Sequence, residues 1–359
     1  MRGKIAVLPG DGIGPEVIRV ATGVLKAVEE RFGHDFTLTY GEIGATAIAS
    51  AGDPFPENTE EICRSSDAIL FGAIGTPEYD NNPAVRMRPE EGLLRMRKTL
   101  GLYANIRPVT TFDDLITLSP LKEERIRNVD FVVYRELTGG IYFGKPSFVA
   151  KDYSKAVDTC SYSRIEIVRI ARLAFDAAGK RSGKLTLVDK ANVLATSRLW
   201  RKTVQEMAAD YPNIVLEFMF VDNAAMQMIL NPAQFDVILT ENMFGDIITD
   251  EASVITGSLG LMPSASVGET VSLFEPIHGS YPQAAGKNSA NPMASVLSLA
   301  MLLEHSFGLA EESLAVREAV AEAIARGIVT NDLNTTKFFT TTKVGSAISD
   351  IILSKSLAE

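Results

Sequence analysis

Strand-length apolar runs alternate with helix-length amphipathic segments along most of this chain, and that alternation constrains its fold more than any other feature. Ile5–Pro9 reads as a buried strand and Pro15–Arg31 as the helix after it, with Pro15 in the first turn, where a missing N–H costs nothing. Ala68–Ile74, Leu185–Asp189, Leu216–Val221 and Phe235–Thr240 read as further strands, the last three each followed by a helical pattern. Such alternation predicts an α/β fold with a largely parallel sheet. One stretch departs from it. Asp130–Gly144 (DFVVYRELTGGIYFG) predicts two strands joined at Thr138-Gly139-Gly140 as a hairpin. The polar, extended stretch that follows, through Cys160, predicts an arm pairing with another subunit, because an exposed ribbon needs a partner. Helices at Asn291–Phe307, Glu311–Arg326 and Val344–Lys355 close the chain.

The 359 residues suffice for one large globular unit or two domains, and 46% hydrophobic residues can fill a sizeable core. A net charge of −10 argues against nucleic acid as the main partner. No run approaches the roughly 18–20 apolar residues that span a bilayer. The start, MRGKIAVLPGDG, has no signal-peptide layout, so a cytoplasmic location is expected. Two cysteines, Cys63 and Cys160, read as reduced thiols. The three histidines lack metal-ligand spacing, so any metal would be held by oxygen.

The glycine-rich turn Gly10–Pro15 (GDGIGP) invites a dinucleotide-binding reading and fails its spacing. Its glycines fall at 10, 12 and 14, and Pro15 stands where another glycine belongs. Asp11 and Glu16 put carboxylates where a helix N-terminus would otherwise attract phosphate. A stronger signal comes from strand ends, where ligands of open α/β sheets bind. Lys190, Asp222 and Asp246 follow three predicted strands. A single charge there is usually a helix cap, but three of complementary sign suggest a site.

Asp246 and Asp250 lie four apart, on one helix face, where like charges repel unless a cation sits between them. A solvated acidic face is the plainer alternative, although Phe244, Ile247, Ile248 and Ala252 around them are apolar. Hard oxygen ligands favour Mg²⁺ or Mn²⁺. Arg97, Arg107 and Arg135 form the complementary half, and their forks suit a substrate with two carboxylates. Three unrelated salt bridges would also explain them. Glu275–Pro292 reads as a long loop rich in small residues, suited to a nucleotide; His278 within it could equally be an ordinary loop histidine.

NMFGDIITDEASVITGSLGL (Asn242–Leu261) resembles the signature of the isocitrate and isopropylmalate dehydrogenases, as do LPGDGIGPEV, YANIRP, RELTGGIYFG, DKANVL and EPIHGSYP. These matches run in family order from residue 4 to about 300. Within that family, PEEGLLRMRK (Pro89–Lys98) resembles the form whose Glu and paired leucines enclose a branched alkyl group, here Glu90, Leu93 and Leu94. Two leucines would leave the third carboxylate of isocitrate unpaired.

The resemblance implies a two-domain α/β fold with a large mixed, mostly parallel sheet that is not a Rossmann fold. Residues 1–102 and 256–359 would form a discontinuous nucleotide-binding domain. Residues 103–255 would form a dimerisation and substrate domain, with a β arm at about 136–161. It further implies a homodimer with a shared active site and an NAD-dependent oxidative decarboxylation of an isopropyl-substituted malate. In that reading Arg97, Arg107, Arg135 and Asp222 bind substrate, and Asp246 and Asp250, with Asp222 of a second copy, hold Mg²⁺ or Mn²⁺. Lys190, like Asp222 from the second copy, is the base, and Tyr142 is the proton donor. Gly75, Glu90, His278, Gly279, Ser280, Tyr281, Gln283, Ala284 and Asn291 would face NAD. NAD-dependent members usually carry Asp at the position of Gln283, so rejection of NADP is expected to be weaker here, while the Lys-Tyr pair of NADP enzymes is absent. Oxidation of homoisocitrate, tartrate or D-malate, and a non-redox metal-dependent lyase, are the alternatives.

Overall fold

The computed structural model describes residues 1–80 and 87–354. They divide into two compact units, residues 1–102 with 258–359 and residues 103–257. Among the described residues, each unit contains a sheet segment of five strands of mixed direction, four parallel and one antiparallel.

The first unit opens with β1 (Arg2–Gly10), whose Ile5–Leu8 segment is fully buried. Helix Gly14–Phe32 follows, with Pro at its start and Gly33 ending it in the left-handed region. β2 (Asp35–Tyr40) and β3 (Ala68–Ala73) both run parallel to β1. β3 is buried along its whole length, which explains why its sequence is continuously apolar rather than alternating.

In the second unit, β4 (Ala104–Thr110) and β5 (Asp130–Glu136) pair antiparallel. β6 (Ser147–Val149) and β7 (Ala156–Asp158) form a separate, exposed two-stranded ribbon. β8 (Lys184–Asp189), β9 (Val215–Phe220) and β10 (Val237–Thr240) then complete the sheet in the order β4-β5-β10-β8-β9. Thr240 stands opposite both Arg135 and Val188, and Asp189 opposite Phe220, so the carboxyl ends of four parallel strands come level.

The chain returns to the first unit with β11 (Pro263–Val267) and β12 (Ser272–Pro276), an antiparallel pair whose β12 runs parallel to β3. The strand order there is β2-β1-β3-β12-β11. Helices Met293–Phe307, Ala310–Ala325 and Thr341–Ser354 finish the unit. Lys355, the expected end of the last helix, lies outside the described residues.

The expected hairpin at Asp130–Gly144 is not formed. β5 stops at Glu136, whose carboxylate accepts the backbone N–H groups of Thr138 (3.0 Å) and Gly139 (2.7 Å). Gly140 then takes φ +75° and starts a short 3₁₀ turn through Tyr142, so Ile141–Gly144 never becomes a strand. The hairpin lies further on, at β6–β7. The loop expected over Glu275–Pro292 is also less bare than its composition suggests: Glu275 and Pro276 belong to β12, and Pro282–Ala284 forms a 3₁₀ turn.

Candidate active site

At the level strand ends of the second unit, helix Asn242–Ser253 begins two residues after β10, and Glu241 caps it by accepting the N–H of Phe244 (2.9 Å). Asp246 and Asp250 project from one face of this helix. In this structure arginines lie against both carboxylates. Arg135, on β5 and nearly buried, donates to Asp246 through Nη1 and to Oδ1 of Asn242 through Nε (3.1 Å) and Nη2 (2.9 Å). Arg107, on β4, donates to Asp250 (3.2 Å), to the Thr249 hydroxyl (2.6 Å) and to Oδ1 of Asn105 (2.8 Å). The Tyr142 hydroxyl donates to the other oxygen of Asp246 (3.0 Å). Partial burial, and then the charge of Asp246, raise the Tyr142 pKa above its ordinary value.

Gly245 makes this packing possible. A Cβ there would sit 2.5 Å from Cγ of Arg135, so only glycine lets the arginine stem lie against the helix. Asn242 fixes the same side chain from the other end: its Oδ1 takes two guanidinium bonds while its Nδ2 donates to the Gly139 carbonyl (3.1 Å). Asn242, Asn105 and Thr249 were not singled out from the sequence. Asn242 sits inside the segment that was, but its partner lies 107 residues away, and only the β5–β10 register reveals the pairing.

Lys190 and Asp222, at the ends of β8 and β9, form an ion pair of 2.8 Å. This hydrogen bond holds the Asp222 pKa below the usual carboxylate range. Among the described residues no three His, Cys, Asp or Glu side chains gather into a metal-binding group, so Asp222 does not join Asp246 and Asp250 within one chain. The donor set is nevertheless suitable for a hard cation, since Asp246 and Asp250 offer carboxylate oxygens with side chains 36% and 76% exposed.

The first unit carries the remaining candidates. Glu90, Leu93, Leu94 and Arg97 lie at helical spacing on Pro89–Thr99, along one stripe. Leu94 is exposed, whereas Leu93 packs partly into the core beside Met96 and Phe55. Arg97 donates to Glu275 (2.9 Å), and its buried Nε has no partner among the described residues. His278 uses Nδ1 toward the Gly279 carbonyl (3.0 Å), while its buried Nε2 is likewise unpartnered. Burial lowers its pKa, which favours the neutral ring. An orphaned ring nitrogen in a loop of small residues fits a ligand with its own hydrogen-bonding edge, as a nucleotide base has. Tyr281 adopts φ +37° ahead of the 3₁₀ turn holding Gln283 and Ala284, and Gln283 is exposed. Asn291 is fastened by Asp332 (3.1 Å) and by the Met293 N–H (3.0 Å).

The sequence profile of the isocitrate/isopropylmalate dehydrogenase family matches residues 4–348. The chain is 54% identical to a 3-isopropylmalate dehydrogenase of Priestia megaterium, over 99% of this chain and 97% of that protein. It is 57% identical to the enzyme of that name from Geobacillus kaustophilus, over 92% and 90% of the two chains. Among solved structures it is similar to isocitrate dehydrogenase from Methylococcus capsulatus, with a TM-score of 0.86 and 34% identity over 98% and 99% of the two chains. The apo β-decarboxylating dehydrogenase from Thermococcus kodakarensis is also similar, with a TM-score of 0.80 and 37% identity over 97% and 96%. Fold, strand-end chemistry and sequence agree, and the chain belongs to the isocitrate/isopropylmalate dehydrogenase family of oxidoreductases.

Proposed function

We propose that this protein oxidises and decarboxylates 3-isopropylmalate to 4-methyl-2-oxopentanoate and CO₂ with reduction of NAD⁺, a cytoplasmic step of leucine biosynthesis. The observation that carries this reading is the gathering of Arg107, Arg135, Asp246, Asp250 and Tyr142 at one end of one sheet, in a chain whose named relatives are 3-isopropylmalate dehydrogenases. Exposed Leu94, in line with Glu90 and Arg97, supports an alkyl substituent rather than a third carboxylate.

Arg97, Arg107 and Arg135 hold the two carboxylates of the malate. A guanidinium has five donors, so Arg107 and Arg135 can exchange their aspartate partners for substrate oxygens without leaving their anchors on Asn105 and Asn242. Asp246 and Asp250, with Asp222 contributed by a second copy in a homodimer, would hold Mg²⁺ or Mn²⁺. When bound, the cation would supply Lewis acidity and the nicotinamide a hydride acceptor. Lys190, paired with Asp222 and so contributed by the same second copy, takes the hydroxyl proton. Tyr142 delivers a proton to C3 once CO₂ has left. Gly75, Glu90, His278, Gly279, Ser280, Tyr281, Gln283, Ala284 and Asn291 face the cofactor, giving the first unit the nucleotide and the second the dimer contacts and most of the groups for the substrate.

The test is NADH or NADPH formation on 3-isopropylmalate, isocitrate, homoisocitrate, tartrate and D-malate, each with Mg²⁺ and with either nucleotide. The highest kcat/KM is expected for 3-isopropylmalate with NAD⁺. A higher value for another acid would reassign the substrate, and turnover without nucleotide reduction would make the protein a lyase.

A further inference from the structure

The turn Gly10–Glu16 has no part in the chemistry above, yet loops from three places in the first unit are fastened to it. The buried carboxylate of Asp11 accepts the N–H groups of Ala45 (3.0 Å), Thr46 (3.1 Å) and Gly75 (2.9 Å), and the Thr46 hydroxyl as well. The N–H of Ile13 donates to the Ser280 carbonyl (2.8 Å). Gly12, at φ +58°, permits that approach, since a Cβ there would lie 2.0 Å from the same oxygen. Glu16 accepts the N–H of Gly286 on one oxygen and that of Asn288 (3.1 Å) on the other. The 3₁₀ turn Pro282–Ala284 therefore has a pin on each side, Ile13 at Ser280 before it and Glu16 at Gly286 and Asn288 after it.

These carboxylates do the opposite of what a phosphate-binding turn does. A nucleotide loop of the usual glycine-rich kind keeps its N–H groups for the ligand. Here the turn presents acceptors, and the N–H groups of neighbouring loops are consumed on them. The nucleotide candidates Gln283 and Ala284 are thereby held at a fixed place relative to Gly75, by bonds that touch neither residue.

We propose that Glu16 is a positioning residue for the nicotinamide cofactor, holding the loop after Ala284 in its cofactor-accepting conformation; this rests on the NAD reading above. Asp11, with four bonds in the core of the turn, serves folding too directly to give a clean test. Glu16 does not. It is only partly buried and borders a cavity of about 360 Å³ shared with Arg19, Asn288 and Thr342, so water can reach the freed N–H groups if the carboxylate is removed. Asn288 also keeps its two side-chain bonds to Thr342. The loop then loses its preferred conformation without losing its place in the chain, and apparent affinity falls by the fraction of time it is competent.

The experiment uses the full chain as wild type, Glu16→Gln and Glu16→Ala, with NADH binding followed by fluorescence and with steady-state kinetics on 3-isopropylmalate. Glu16→Ala should raise the NADH Kd and the KM for NAD⁺ about tenfold, and Glu16→Gln, which keeps one acceptor oxygen, about threefold. The kcat at saturating NAD⁺ and the KM for 3-isopropylmalate should stay within about twofold, a split that general loosening of the fold would not give. Unchanged NADH affinity in Glu16→Ala overturns the proposal, as does a parallel rise in both KM values. If Glu16→Ala does not fold, the near-isosteric Glu16→Gln decides on the same criteria. The wild-type arm stands apart: no NADH binding there overturns the NAD reading itself, whatever the variants do.

Discussion

Gly245→Ala asks whether the position of Arg135 sets the rate. The added Cβ would lie 2.5 Å from Cγ and 2.8 Å from Cβ of Arg135, atoms near the strand that cannot swing aside as a side-chain tip can. Reaching ordinary contact at about 3.4 Å requires a displacement of about 0.9 Å between helix Asn242–Ser253 and the arginine stem. Overpacking of this kind costs about 1–3 kcal/mol. Alanine returns about 1 kcal/mol of helix propensity. The net loss of stability is therefore about 0–2 kcal/mol, and Tm should fall by no more than about 8 °C. Activity is a harsher measure. Moving an anchor of the reacting acid by nearly 1 Å costs on the order of 100-fold, so kcat/KM for 3-isopropylmalate should drop by about that factor in a protein that circular dichroism shows to be folded. Wild-type kcat/KM in the alanine variant would show that Arg135 does not need its observed position. A loss of activity that merely tracks unfolding would show the glycine to be a matter of stability alone.

Three other outcomes are expected from the structure. Lys190→Met and Tyr142→Phe should each lower kcat by about 10²–10⁴-fold at unchanged mass in solution, and near-native turnover in either would cancel its assigned role. Gln283→Asp should increase the ratio of kcat/KM for NAD⁺ over NADP⁺, because a carboxylate repels the 2′-phosphate; a ratio that stays constant would place the ribose elsewhere. Burial pushes the Cys63 thiol up from 9.0 to about 12. The unfolded thiol ionises first as pH rises, so its contribution to stability is complete below about pH 9 and is lost progressively toward pH 12. Denaturant titrations from pH 8 to 11 should show this slope in the wild type and a flatter one in Cys63→Ala.

Much of the fold is written in local pattern. β3, β8, β9 and β10 fall within two residues of their apolar runs and β1 within three, and β3 and β10 are buried along their whole length, which leaves little freedom in composition. β11 and β12 are not legible in that way. PSASV in β11 has no large apolar residue but its final valine, and its serines are buried only because β12 and the helix Met293–Phe307 cover them. The false hairpin has a similar origin. Thr138-Gly139-Gly140 has hairpin chemistry, but Glu136 takes up its N–H groups and redirects the chain. For the candidate site, the strand-end rule located Lys190, Asp222 and Asp246 from sequence alone. It could not show that Arg135 and Arg107 rest on the aspartates, because that depends on register between strands more than 100 residues apart.

The interrupted course of the first unit has a consequence during synthesis. β3 pairs with β12 through Ile69–Leu273 and Leu70–Phe274, so its partner is translated about 200 residues later. At ribosomal rates of about 5–20 residues per second, the AILFGA segment waits on the order of 10–40 s with one apolar edge uncovered. Residues 103–257, being continuous in sequence, emerge complete within that interval. The nascent chain thus carries a finished compact unit tethered to an unfinished one, and a chaperone that shields short apolar strands would be needed most while the second unit is still being made.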